Sequence, residues 1–197
     1  MPKVSEAYRA ARRAEILESA IRAFARRGFQ GTSMAEIIAE SGLSAGAIYG
    51  HFASKTDLIL GVAHRVVGAR VGDVERMLAQ ERIEPPATLL RMLLAGMVRE
   101  LGSTALIVQL WGEAVNMPDI RELTRDVFGR LQAAFHSYIA AWQRQEHGLD
   151  ADAAAAIAAG QVPLFLSAAQ GFMVQSALVA DFDADAYLAS TDRYLPR

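Results

Sequence analysis

The chain has 197 residues and a mass of 21.3 kDa, enough for one large domain or for a small domain joined to a medium one. Hydrophobic residues make up 52% and charged residues 21%, so there is material for a real core and no compositional sign of disorder. The absence of cysteine excludes a disulfide framework, a thiol nucleophile and any Cys-based metal site, and a net charge of −2 excludes a generic polyanion binder while leaving room for a local basic patch.

Residues 1–30 hold seven basic side chains (Lys3, Arg9, Arg12, Arg13, Arg22, Arg26, Arg27) against three acids, a balance of +4. Residues 61–197 hold twelve basic side chains against sixteen acids, a balance of −4. A basic head on an acidic body suits a nucleic-acid contact by the head. A solvated helix face with i,i+4 pairs such as Glu18–Arg22 would give the same pattern. No apolar stretch follows the first basic residues, so no secretory signal is expected.

Ile16, Leu17, Ala20, Ile21 and Phe24 fall at helical spacing and predict one apolar face on a helix of about five turns, with the arginines largely off it. Gly28 is expected to stop this helix, and Phe29 to fold back onto the core. Ser33-Met34-Ala35-Glu36 is a capping box that opens a short second helix burying Met34, Ile37 and Ile38 and ending at Ser41-Gly42. Leu43 turns inward, and Ser44 caps a third helix whose buried face is Ile48 and Phe52. Its other side shows Ala45, Gly46, Ala47, Tyr49 and His51. Two short helices joined by a tight Gly-containing turn behind a longer helix form a helix-turn-helix. The Gly- and Ala-rich face is poor for helix stability but suits a helix lying close against another surface, such as the major groove.

This segment resembles the DNA-binding domain of TetR-family transcriptional regulators (TetR/AcrR-like) over about residues 10–60. The resemblance rests on Ile16-Leu17, Ala20, Phe24, Gly28-Phe29, Thr32-Ser33-Met34, Ile37-Ile38, Ser41-Gly42-Leu43-Ser44, Gly46, Ile48-Tyr49, His51-Phe52, Ser54-Lys55 and Leu58. It implies an N-terminal three-helix helix-turn-helix DNA-binding domain (residues 1–53) and a C-terminal helical ligand-binding and dimerisation domain (residues 54–197). The expected fold class is all-α, with about nine helices.

The resemblance assigns Tyr49 and His51 to DNA phosphates, and a phenol hydroxyl and an imidazole N–H are suitable donors. Packing of the helix by the Tyr49 ring is compatible with that role. Lys55, one of two lysines, stands in the first turn of a helix that Ser54 caps with Asp57 at its third position, and a phosphate contact is expected for it. Thr32 and Ser33 start the second helix, whose N-terminus is expected to face the backbone. Ser44, Ala45 and Ala47 are best placed for base edges, with Gly46 on the same face. No Arg, Asn or Gln lies on this helix, so backbone contacts, DNA shape and the N-terminal arginines are expected to carry much of the specificity.

The body reads as a long helix from Ser54 to about Gln80, one from Pro85-Pro86 to Leu101, a shorter one to Ala114, and one from about Asp119 to Glu146. Asp150 then caps an uncharged helix to about Ala180, and a last short helix ends at Tyr194. The stretch Ala153–Ala180 has no charged residue and is long enough to span a bilayer. Its glutamines, serines, interior Pro163 and acidic flanks instead predict a helix buried in a soluble core or a subunit interface. Pro163 is expected to kink it. Trp111, Glu113, Asn116, Phe128, His136, Phe165 and Phe172 are candidate lining residues for a ligand cavity, against the plain alternative that each is core.

No catalytic motif, metal-ligand spacing or cofactor motif appears, so no enzyme activity, metal or cofactor is expected. The function read here is that of a cytoplasmic homodimeric repressor. It would bind double-stranded DNA at a near-palindromic operator, and a small apolar or amphipathic effector would release it, with no membrane partner. The alternatives are a non-switching DNA-organising protein of the same fold and a membrane-associated helical protein.

Overall fold

The computed structural model describes residues 6–196, so Lys3 lies outside the described residues. Among them are nine α-helices and no strand: α1 Glu6–Gly31, α2 Met34–Ser41, α3 Ala45–Tyr49, α4 Lys55–Leu78, α5 Pro86–Leu101, α6 Ala105–Asn116, α7 Pro118–His147, α8 Ala151–Leu178 and α9 Ala184–Tyr194. The chain forms two compact units that divide between Arg65 and Val66, inside α4.

In the first unit, the predicted stripe Ile16, Leu17, Ala20, Ile21 and Phe24 is buried along α1. Each large apolar side chain removed from water this way contributes about 1.5–3 kcal/mol. Gly28 breaks the helical path with φ 70° and ψ 175°, although a further helical turn reaches Gly31. The break lets Phe29 return to meet Phe24 edge-on, with ring centroids 4.9 Å apart. The capping box forms: Ser33 Oγ accepts from Glu36 N–H, and Glu36 accepts from Ser33 N–H at 2.8 Å. Gly42 closes α2 in the left-handed conformation at φ 66°. Ser44 caps α3, which ends at Tyr49, so Phe52 reaches the core from the turn beyond the helix.

The start of α4 belongs to this unit for a packing reason. Leu58, Ile59 and Val62 are buried, and Arg65 donates to Ala14 O at 3.0 Å and to Glu18 at 2.9 Å. Gly61 lies so close to α1 that a Cβ would come within 2.8 Å of the Phe52 ring and 2.9 Å of Leu17. The unit therefore ends beyond the 53/54 helix junction, because the first turns of α4 complete its core.

In the second unit, α7 and α8 pack along each other, with α6 against both and α5 against α7, α8 and α9. The core is Leu89, Leu90, Leu94, Ile120, Phe135, Tyr138 and Phe165. Pro85-Pro86 opens α5, and the left-handed Gly102 and Gly148 end α5 and α7. The α8 helix runs unbroken through Pro163 and is long and apolar enough to cross a membrane. Only 28% of its most apolar window is buried within the chain. Within the single chain it is therefore largely uncovered.

Candidate nucleic-acid interface

The first unit presents α3 outward. Ser44, Ala45, Gly46 and Tyr49 are exposed and Ala47 is half-buried, while Ile48 is fully buried behind them. Ser44 Oγ accepts from Ala47 N–H at 3.2 Å, so its hydroxyl hydrogen remains free to donate outward. A Cβ on Gly46 would meet no atom within 4 Å. Nothing inside the chain requires glycine there, and glycine in a helix costs about 1 kcal/mol relative to alanine. Tyr49 leaves 51% of its surface exposed, which is unusual for so large a ring and removes packing as its whole purpose.

His51 follows α3 and is half-buried. Its carbonyl faces Arg13 Nη1 at 3.5 Å, and the Arg13 guanidinium lies over the Phe52 ring at 4.3 Å from the centroid. Arg13 thus fastens the end of the recognition segment to α1. The sequence pattern missed this role because the contact spans 38 positions.

Two of the expected phosphate contacts change character. The Thr32 side chain is buried, and its hydroxyl donates to Gly28 O at 2.7 Å, capping the end of α1 rather than opening α2. Ser33 alone caps α2. The Lys55 ammonium donates to Phe29 O at 2.9 Å and ties α4 to the last turn of α1, beyond the Gly28 break, leaving two of its three hydrogens for other acceptors.

The arginines counted as the basic head are largely spoken for. Arg22 and Arg26 both pair with Glu40, Arg27 pairs with Glu36, and Arg12 pairs with Glu15. Glu18 pairs with Arg65, not with Arg22 as the i,i+4 pattern suggests. The hydrogen bonds from Arg26 and then Arg22 hold the Glu40 carboxyl below the usual range. Those from Ser33, with Arg27 adding to them, do the same for Glu36. Both acids are therefore charged wherever the head meets DNA, and residues 28–54 contain no lysine or arginine at all.

The candidate ligand residues do not share one wall. Trp111 stacks on Phe128 with centroids 6.1 Å apart, and Phe165 stacks on Phe135 at 6.1 Å. Phe172 joins Phe182 and Tyr187 in an edge-on cluster. His136 Nε2 lies 3.2 Å from Ala155 O, Glu113 is half-buried and Asn116 is exposed. An open groove of about 510 Å³ runs along α9 between Gln175, Phe182, Tyr187 and Tyr194, and none of the seven candidates lines it. Sequence reading also missed Arg70, which is buried on α4 beside Asp73 at 2.9 Å and Glu100 at 3.6 Å, against the bare backbone of Gly96. Among the described residues no group of three metal-ligating side chains comes together.

This geometry is that of a helix-turn-helix DNA-binding domain, and residues 16–62 match the family model of the bacterial regulatory proteins, tetR family. The match covers the helix-turn-helix head and the first turns of α4. The repressor Rv1474c of Mycobacterium tuberculosis is 38% identical over 95 residues, covering 48% of this chain and 47% of that protein. The chain matches only about a quarter to half the length of the first curated relatives. Likeness of fold extends over nearly the whole chain. A protein from Saccharomonospora viridis solved in complex with choline has a TM-score of 0.71 at 24% identity, covering 94% of this chain and 95% of that one. The regulator FadR from Bacillus subtilis, solved with stearoyl-CoA, has a TM-score of 0.68 at 16% identity, covering 92% and 96%.

Proposed function

We propose that this protein is a cytoplasmic, non-enzymatic transcriptional repressor that binds a near-palindromic operator as a homodimer and is released by a small apolar or amphipathic ligand. Residues 1–53, completed by the first turns of α4 up to Arg65, are the DNA-binding domain, and the remainder is the ligand-binding and dimerisation domain. The observation that carries the DNA contact is the bare outer face of α3. Gly46 faces open space in the chain, and Ala45, Ser44 and Tyr49 surround it. A face that the fold itself does not need to keep small suits close approach to base edges and phosphates. Ser33, His51 and Lys55 are the flanking phosphate candidates.

Dimerisation is supported by α8, an uncharged helix from Ala153 onward whose Ile157, Leu164 and Leu178 are 38%, 50% and 71% exposed. An apolar face of this length suits burial against a second copy, and a two-fold dimer matches a near-palindrome. For the effector, the relatives solved with choline and stearoyl-CoA support a body that accepts organic ligands. The α6–α7 pair Trp111 and Phe128, with Glu113 and Asn116 on α6, is the proposed contact region. A ligand there acts through α4, the helix common to both units, and lowers operator affinity by a coupling of about 1–3 kcal/mol.

The test is selection from a random duplex library with purified protein, followed by a salt titration of the winners. Enrichment of one near-palindrome with a steep salt slope supports the regulator. Salt-sensitive binding without enrichment would point to a DNA-organising protein, and no binding at low salt would refute the assignment.

A further inference from the structure

The helix-turn-helix segment 28–54 contains no lysine or arginine, so its positive charge must come from its flanks. The two residues that bracket it are Arg27 and Lys55, and the fold brings both to the C-terminal end of α1. Lys55 donates to Phe29 O, and Arg27 pairs with Glu36 in the first turn of α2. Arg27 and Glu36 border an open cleft of about 320 Å³ between the two helices, and the Arg27 side chain is 66% exposed. Glu36 has two separate tasks on its two oxygens. Oε2 accepts from Ser33 N–H at 2.8 Å and from its hydroxyl at 3.0 Å, and Oε1 accepts from Arg27.

We propose that Arg27 is a DNA-backbone contact held in reserve by Glu36: on a duplex it exchanges the Glu36 carboxylate for a phosphate. The proposal rests on the head being a DNA-binding domain, and it adds a cation that the recognition helix itself lacks. The exchange has a clear driving force. An exposed ion pair is worth little in water, so leaving it costs little, while neutralising a phosphate releases counterions. A bidentate arginine–phosphate pair also has better geometry than a single-point contact.

Glutamine at position 36 separates the two tasks of Glu36, because it still completes a capping box but no longer binds a cation by charge. The experiment measures binding of the full-length protein to a mixed-sequence 30-base-pair duplex by fluorescence anisotropy from 50 to 300 mM KCl. It compares the unmodified protein, Glu36→Gln, Arg27→Gln and the double variant, with melting curves for each. Arg27→Gln is expected to weaken binding several-fold and to lower the slope of log K against log salt by about one. Glu36→Gln is expected to tighten binding to this duplex about threefold or more with little change in melting temperature, and the gain should vanish in the double variant. An Arg27→Gln variant with unchanged affinity and slope overturns the proposal. So does a Glu36→Gln variant that melts lower and binds more weakly, which would make the pair a helix tie only. Failure of the unmodified protein to bind any duplex at 50 mM salt would remove the DNA-binding reading together with this one.

Discussion

The first unit and α8 of the second solve opposite problems. In the first unit the apolar residues are enclosed: Phe24, Phe29, Phe52, Ile16 and Ile48 are all nearly or fully buried, and Arg12, Arg22, Arg26 and Arg27 of α1 are matched to acids of α1 and α2. What remains outside is a small, polar face on α3. In α8 the reverse holds, and apolar side chains remain outside while charge is absent from Ala153 onward. The glycines mark the same difference. Gly61 is demanded by its own chain, since Leu17 and Phe52 leave no room for a Cβ, whereas Gly46 and Gly160 face nothing within the chain.

The largest test of this contrast is Phe52→Ala. The ring supports α3 from below, meets Gly61 and carries Arg13, so its loss should destabilise the head by about 3–5 kcal/mol and abolish DNA binding. Circular dichroism melting reads the first effect and anisotropy the second. Next in size is Leu164→Glu on the open face of α8. It enters a two-fold interface twice and should weaken self-association at least about 100-fold, seen by light scattering, with the melting of α1–α3 unchanged. A monomeric unmodified protein, or a variant that dimerises as well as the parent, would remove α8 from the interface.

Substitutions at Gly46 sharpen the other half. Gly46→Leu should fold normally, because the position is open, and lose operator affinity by about tenfold or more. Gly46→Ala should stabilise the head by about 0.5 kcal/mol while weakening operator binding, two effects of opposite sign that a merely structural glycine would not produce.

The last test is a titration in the body. Tyr138 is fully buried and donates to Glu84 O at 2.9 Å; burial, helped by the Glu84 charge, pushes its pKa up to about 12. Its folded value lies above the unfolded value of about 10, so its contribution to stability is intact below pH 10 and is lost as pH rises toward 12. Absorbance at 295 nm should show Tyr138 ionising late, alongside Tyr187, which burial also raises, with the Tyr138 step coincident with loss of helix signal.

Local chemistry made the head legible. A capping box, the left-handed Gly42, the Ser44 cap and the stripe from Ile16 to Phe24 act over three or four residues, and each appears where the sequence places it. The ends of α5, α7 and α8 follow from Pro, Gly and Asp by the same short-range rules. Partnerships between distant residues were not legible. Which acid takes Arg22, where the Thr32 hydroxyl turns, that Lys55 reaches Phe29 and that the aromatic residues of the body divide into separate clusters all depend on helices meeting across long separations. Composition left a soluble core and a subunit interface both open for α8, since hydropathy reports what a surface avoids and not which molecule covers it. The sequence by itself determined nine helices, their caps and a helix-turn-helix head. Only the tertiary structure decided which charges are already paired and which faces are left open, because both depend on what stands opposite a side chain in space.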